Sequence, residues 1–180
     1  MLLEGFSLVI PEGNETPEGY VEMVHDTQYT IQLTNNATCR MADVAIHIDG
    51  KHVGTWRLNP DSVIKIERPV NDTGKFTFYK YGTSESEKAG LKNNEMLGLI
   101  TAIFKPEYFP AITLGDLWDD DSNCTGGTGL SGESRQKFNT VKALKYDSEG
   151  QVTINLRLVV TKDTGVRSLR PVSNPIPPPL

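Results

Sequence analysis

Apolar and polar residues alternate with a period of two in three consecutive runs within residues 44–81. Such alternation indicates β-strands with one buried face, because successive side chains of a strand point to opposite sides of a sheet. Asp49-Gly50 separates the first two runs and predicts a two-residue hairpin turn, since both residue types tolerate positive φ angles. A polar segment containing Pro60 supplies the second reversal. The pattern predicts an antiparallel meander with one solvated face.

The same alternation predicts which side chains of residues 62–78 face the core. Polar side chains at positions 65, 67 and 77 separate the apolar ones. Because a half-buried strand turns one set of side chains inward, four of them are predicted to share the core: Ile64, Ile66, Phe76 and Phe78.

Further patterns predict strands at residues 6–10, 20–24, 29–33, 97–104, 136–146 and 152–161, and one short helix at residues 84–89. The mostly apolar run at 97–104 is typical of a strand at the centre of a sheet. The runs at 20–24 and 29–33 are expected to form either a hairpin or one long bent strand. About eight strands with Gly, Asn and Pro turns predict an all-β fold, an antiparallel β-sandwich and most specifically an eight-stranded single jelly roll.

Both ends of the chain differ in composition from its centre. A short apolar run and a segment rich in Pro, Gly and Glu make up residues 1–19, and residues 163–180 end in a Pro-rich sequence. Proline lacks an amide donor and is disfavoured in helix interiors and central strands. We therefore expect an N-terminal arm at 1–19, a sandwich domain at 20–162 and a C-terminal arm at 163–180.

Composition excludes several classes of function. The 180 residues suffice for one buried core, and the net charge of −5 disfavours nucleic-acid binding, which requires a basic surface. No apolar run approaches the ~18 residues of a membrane-spanning helix, and the N-terminus lacks the features of a signal peptide. We expect a soluble protein with no membrane span, whose two cysteines, Cys39 and Cys124, are free thiols.

The residues that carry chemistry do not form an enzyme signature. His47 and His52 flank the predicted hairpin turn and should be neighbours, but a third metal ligand at a fixed spacing is missing. Solvent-exposed imidazoles are therefore favoured over a metal site. No Gly-x-Ser-x-Gly sequence lies at a predicted strand-to-helix turn. We expect no catalytic residue, no cofactor and no enzymatic activity.

The longest irregular stretch, residues 106–133, is the candidate interaction loop, because long loops in compact domains are usually functional. Asp119, Asp121 and Asn123 alternate there as oxygen ligands do in a Ca²⁺ loop. However, Cys124 and Leu130 stand where an EF-hand loop has its turn glycine and its final acid. A solvated acidic loop is the expected state, with a weak Ca²⁺ site as the alternative.

Aromatic residues are candidates either for a sugar-binding platform or for core and subunit contacts. Flat rings stack on the apolar faces of sugars, but they are also enriched in cores and interfaces. The residues concerned are Trp56, Tyr79, Tyr81, Tyr108, Phe109 and Trp118.

Six segments resemble a set of β-sandwich proteins from large DNA viruses, algae and protists: IDGKHVGTWR, IERP, KFTFY, GLITAIFKPE, LSGESRQKF and TINLRLVV. The resemblance covers roughly residues 20–160. Its motifs are turns, strand cores and a Gly-rich loop, so it implies a fold and transfers no catalytic residue. Single jelly-roll proteins of similar size serve as penton or minor capsid proteins of large icosahedral double-stranded DNA viruses. The resemblance therefore implies, by analogy of fold, a capsid protein.

The expected function is a structural virion protein, a jelly-roll subunit that binds copies of itself or a major capsid protein. Its expected location is the capsid, assembled in the cytoplasm of the host cell. The predicted interface residues are Leu2, Phe6, Trp118, Pro175, Pro177 and Leu180. The alternative is a β-sandwich module that binds a carbohydrate or another surface ligand through residues 106–133.

Overall fold

The structure is a computed structural model that describes residues 1–108 and 139–161. These residues form an all-β protein with one short helix, α1 (Ser84–Lys88). The twelve strands among them are β1 (Leu2–Leu3), β2 (Phe6–Val9), β3 (Asn14–Glu15), β4 (Tyr20–Met23), β5 (Thr27–Gln28), β6 (Ile31–Asn35), β7 (Ala42–Ile48), β8 (Lys51–Leu58), β9 (Ser62–Ile66), β10 (Thr77–Phe78), β11 (Leu99–Pro106) and β12 (Val152–Val160).

The strands form two main sheets. Sheet A has four strands in the order β1-β2-β6-β9, sheet B has six in the order β3-β4-β12-β11-β7-β8, and β5 pairs separately with β10. Both sheets contribute to one hydrophobic core. Between them the ring of Phe6 in sheet A stacks on the ring of Phe104 in sheet B, with centroids 4.8 Å apart. The sheets therefore pack face to face, as in a β-sandwich.

The predicted hairpin turn at Asp49-Gly50 is confirmed. β7 and β8 pair antiparallel, and Ile48 lies opposite Lys51 at the turn. Asp49 has φ 53° and Gly50 has φ 77°, as a type I′ turn requires. The turn is also bonded to the rest of the sheet, because Asp49 Oδ1 accepts a 2.7 Å hydrogen bond from the Gly98 amide.

The predicted meander is wrong beyond this hairpin. β8 is an edge strand of sheet B, whereas β9 pairs with β6 in sheet A. Both alternatives for residues 20–24 and 29–33, a hairpin or one long bent strand, are also wrong, since β4 lies in sheet B and β6 in sheet A. Alternation identifies the buried face of a strand but not the sheet that the strand joins. Both sheets line the same core, so a strand can bury its apolar face in either sheet.

The predicted core face of residues 62–78 is confirmed. Ile66 and Phe76 are buried, and Ile64 and Phe78 pack against the core from partly buried positions. Phe76 also stacks on Tyr29, with ring centroids 5.6 Å apart.

The later elements agree with the sequence except at one strand. β11 lies between β12 and β7 near the middle of sheet B, and α1 begins after the N-cap Thr83, as predicted. The strand predicted at 136–146 is wrong where the structure describes it. Residues 139–145 have no strand, and Tyr146 forms a single bridge with Glu107.

The N-terminal arm predicted at residues 1–19 is corrected to a part of the sandwich. β1 and β2 belong to sheet A, and β3 belongs to sheet B. Leu8 and Ile10 are buried in the core beside Phe6. The Pro- and Gly-rich composition of residues 11–19 describes the turns between these strands and not a detached segment. The C-terminal arm predicted at 163–180 lies outside the described residues.

Strand direction also departs from the prediction at one place. β12 pairs with β4 in parallel, with Leu158 opposite Val21, whereas every other strand pair among the described residues is antiparallel. The expected purely antiparallel sandwich is wrong at this pair. Twelve strands, several of only two residues, are found where eight were expected. None of the helices in the described part of the chain is long and apolar enough to cross a membrane.

Candidate functional site

The predicted interface and Ca²⁺ residues fall mostly outside the described part of the chain. Of the two that are described, Leu2 is 60% exposed, whereas Phe6 is 5% exposed and belongs to the core. The interface role predicted for Phe6 is therefore corrected to a core role. The others lie outside the described residues: Trp118, Asp119, Asp121, Asn123, Pro175, Pro177 and Leu180.

Three places in the described structure combine polar chemistry with a defined geometry. The first holds the chain on both sides of residues 109–138, and we call it the loop anchor: Arg40, Asp43, Arg57, Tyr146 and Asp147. The second is a histidine pair, His47 and His52. The third is the solvent-facing side of sheet A.

The loop anchor is built around Asp43, a buried carboxylate on β7. Arg57 lies opposite Asp43 on β8 and donates two hydrogen bonds to its carboxylate, of 2.8 and 3.0 Å. The Tyr146 hydroxyl donates a third, of 2.8 Å. Arg57 also donates to the Lys142 carbonyl oxygen at 2.8 Å. Asp43 thus joins β8 to the segment that follows residue 138.

A second ion pair completes the loop anchor. Arg40 donates to Asp147 Oδ2 and to the Glu107 carbonyl oxygen, both at 2.8 Å. The Tyr108 amide donates to the Lys145 carbonyl oxygen at 2.7 Å. Residues 106–108 and 145–147, which flank residues 109–138 in the sequence, are therefore fixed beside each other.

The charges of the loop anchor shift one another's protonation. The hydrogen bond with Asp43 raises the pKa of Arg57 and also raises the pKa of Tyr146. The hydrogen bond from Arg40 lowers the pKa of Asp147. The raised pKa keeps Arg57 charged and paired with Asp43 at neutral pH. The charged groups of the cluster are thus engaged with one another.

The histidine pair lies on the side of sheet B that faces away from the core. His47 on β7 is opposite His52 on β8, as predicted, and the ring centroids are 5.1 Å apart. Burial first and the neighbouring His52 second lower the pKa of His47. His47 is half-buried, so its expected full exposure is only partly right; His52 is exposed.

The outer face of sheet A is formed by the side chains of β1, β2, β6 and β9 that alternate away from the core. One row across the four strands consists of Leu2, Ser7, Thr34 and Val63. The next row consists of Val9, Gln32 and Lys65. Lys65 is the one charged residue of the set. Leu2 is 60% and Val63 55% exposed. This face is uncharged over most of its paired positions.

The predicted aromatic residues do not assemble into a platform within the described structure. Trp56 belongs to the core, which corrects its role as a candidate sugar contact. Tyr79 contacts His25, with ring centroids 6.0 Å apart, and Tyr81 and Tyr108 are exposed. Phe109 lies outside the described residues.

The loop anchor was not predicted from the sequence. Its signal is a pair of opposite charges on adjacent strands, Asp43 and Arg57, which becomes visible only when the strand register is known.

Metal-binding groups are sparse in the described ranges 1–108 and 139–161. No cluster of three or more His, Cys, Asp or Glu residues suited to an ion is present there. Cys39 is an exposed free thiol, as predicted. Comparisons with protein-family models, with curated proteins and with solved structures found no match to this chain.

Proposed function

We propose that this chain is a structural protein that assembles with copies of itself through the outer face of sheet A. In its specific form, the proposal is a capsid subunit of a large double-stranded DNA virus, either a penton or a minor capsid protein. The viral location and the jelly-roll classification rest on the sequence resemblance. The assembly surface rests on the geometry of sheet A.

The observation that carries the proposal is the composition of that face. Soluble proteins usually place charged side chains on the solvated side of a sheet, yet Lys65 is the one charged residue at the paired outward positions. Leu2 and Val63 stand in the same cross-strand row with more than half of their surface exposed. Depletion of charge at the centre of a surface, with apolar side chains, is typical of protein–protein interfaces.

A second copy is the occupant that fits this face best. The row of Leu2, Ser7, Thr34 and Val63 is uncharged, so two copies can meet along it without bringing like charges together. Self-complementary faces form isologous contacts, in which the same patch is used on both subunits. β9 is also an edge strand of sheet A, so its outer backbone groups are available for pairing with a neighbouring subunit.

The alternative function, a binding module for a carbohydrate or another surface ligand, is favoured by the loop anchor. Partly buried, charge-assisted hydrogen bonds from Arg57 and Tyr146 to Asp43 join β7 and β8 to the segment that follows residue 138. Binding loops on rigid scaffolds are commonly supported in this way. The two functions differ in the surface used, so experiment separates them.

The experiment is light scattering during size-exclusion chromatography of the full chain, across a concentration series. A Val63→Lys variant places a charge on the proposed contact face. The matched control is Val24→Lys, because Val24 is 66% exposed and follows β4 of sheet B. We expect the wild type and Val24→Lys to form the same oligomer and Val63→Lys to remain monomeric.

A monomeric wild-type protein at every concentration would overturn the assembly proposal. Binding of that monomer to a glycan array, weakened by Asp43→Ala, would then favour the alternative. An oligomer that persists in Val63→Lys would place the contact elsewhere and would contradict the role of sheet A.

A further inference from the structure

The histidine pair depends on an irregularity in β8. Trp56 and Leu58 alternate onto the core face, and strict alternation would place His52 on that face as well. A register shift lies between Ile46 and His47: Ile46 is opposite Gly54, but His47 is opposite His52. Val53 is therefore an extra residue, a β-bulge. Bulges re-aim side chains and are over-represented next to functional sites.

The bulge brings two imidazole rings together on the outer face of sheet B. Their centroids are 5.1 Å apart and their planes are tilted by 56°. The opposite neighbour of His47 in the sheet is Thr101, whose hydroxyl donates to Asn155 Oδ1 at 2.8 Å. The side chain of Thr101 is thus engaged with Asn155 and not with His47.

One ring nitrogen of this pair is enclosed and has no hydrogen-bond partner among the described residues. His47 Nδ1 is enclosed and makes no hydrogen bond with any of the described residues. His52 Nε2 lies 3.0 Å from Thr55 Oγ1, which leaves Nδ1 of the same ring for another contact. Enclosed polar atoms of folded proteins are nearly always bonded, so water or a bound ion is needed to satisfy this ring nitrogen.

We propose that His47 and His52 together bind one divalent transition-metal ion per chain. Neutral imidazole is the ligand that Zn²⁺, Cu²⁺ and Ni²⁺ share, whereas Ca²⁺ and Mg²⁺ require clustered oxygen ligands. The described residues offer no carboxylate or thiol to complete a set of three such ligands around the pair. In the proposed site, water supplies the remaining coordination positions. The site lies on sheet B and is independent of the assembly face on sheet A.

The ion-binding experiment uses isothermal titration calorimetry of the full chain with Zn²⁺ and with Cu²⁺, and with Mg²⁺ as the negative control. Any affinity tag is removed, and Cys39 and Cys124 are replaced by Ser, because thiolates bind the same ions. His47→Gln and His52→Gln are compared with His25→Gln. His25 is a matched control, since it lies near the Glu85 carboxylate, at 3.8 Å, and not near a second imidazole.

We expect one Zn²⁺ or Cu²⁺ ion to bind per chain and Mg²⁺ not to bind. Affinity should fall at least about tenfold in each of the two pair variants and stay unchanged in His25→Gln, because a single imidazole is a poor site. Wild-type NMR provides a readout that needs no variant. Substoichiometric Cu²⁺ should broaden the imidazole signals of His47 and His52 and leave those of His25 sharp.

Two results would overturn the proposal. One is the absence of Zn²⁺ and Cu²⁺ binding by the wild-type chain. The other is binding that persists in both pair variants together with equal broadening of all three histidines, which would locate the ion elsewhere.

Discussion

At the scale of single residues, the position of His47 in sheet B changes the pKa of its ring. Its ring is half-buried on the outer face of sheet B and faces the ring of His52. Burial, and secondarily this neighbour, lower its pKa from the ordinary value of 6.5. The folded protein therefore resists protonation of His47 more strongly than the unfolded chain does.

This difference predicts a loss of stability in mild acid. Since the folded-state pKa of His47 is lowered, the unfolded chain binds the proton first as pH falls below about 6.5, and unfolding becomes easier. Urea unfolding with EDTA at about pH 7.5 and about pH 5.5 measures the effect. We expect the wild type to lose more free energy of unfolding between these pH values than His47→Gln. Equal losses would show that His47 titrates normally.

At the scale of elements, the loop anchor ties three segments to one carboxylate. Asp43 on β7 accepts hydrogen bonds from Arg57 on β8 and from Tyr146 beyond residue 138. Asp43 is 6% exposed, so these partners replace the water that an exposed carboxylate would contact. Removal of one member of a buried ion pair is costly because the other charge remains without compensation.

We therefore predict that Asp43→Ala lowers the free energy of unfolding by about 3 kcal/mol. Tyr146→Phe is the comparison, because it removes one hydrogen bond and leaves the pair of Asp43 and Arg57 intact; we expect a cost of about 1 kcal/mol. Chemical denaturation of both variants measures the difference. If Asp43→Ala lowered the free energy of unfolding by no more than Tyr146→Phe does, the ion pair of Asp43 with Arg57 would not stabilise the fold as predicted.

The elements also show what the sequence is able to predict. The β7–β8 turn was predictable because Asp49 and Gly50 determine it locally. If the pairing near the turn, with Ile48 opposite Lys51, continued along the strands without a bulge, Asp43 would lie opposite Trp56. Because Val53 is an extra residue, Asp43 lies opposite Arg57 instead. The pairing of Asp43 with Arg57 was therefore not predicted, although Gly54, an isolated glycine beside Val53 in β8, is a residue type that often marks a bulge.

At the scale of the whole molecule, the two sheets share one core, to which the N-terminal segment contributes Phe6, Leu8 and Ile10. Composition suggested an arm because Pro and Gly are frequent in residues 11–19. The pairing of β2 with β6 and the stacking of Phe6 on Phe104 contradict that interpretation. The sheet that each strand joins depends on contacts distant in sequence, which alternation does not encode.

The corrected role of the N-terminal segment predicts a contrast between two of its side chains. Phe6→Ala should lower the free energy of unfolding by about 3–5 kcal/mol, because it leaves a cavity against Phe104. Leu2→Ala should cost less than about 1 kcal/mol, since Leu2 is mostly exposed. Guanidinium unfolding of both variants checks the contrast. A Phe6→Ala variant as stable as the wild type would contradict the core role of Phe6 and favour a detached N-terminal arm.

The central claim is that copies of this chain meet through the outer face of sheet A, and hydrogen–deuterium exchange of the full chain tests it most directly. Exchange is compared between a dilute and a concentrated sample, with β9 as the edge of the proposed contact sheet and β8 as the edge of sheet B. We predict that peptides covering β9 and β1 gain protection at high concentration and that peptides covering β8 do not. Unchanged exchange in β9, or protection gained in β8 instead, would contradict the claim.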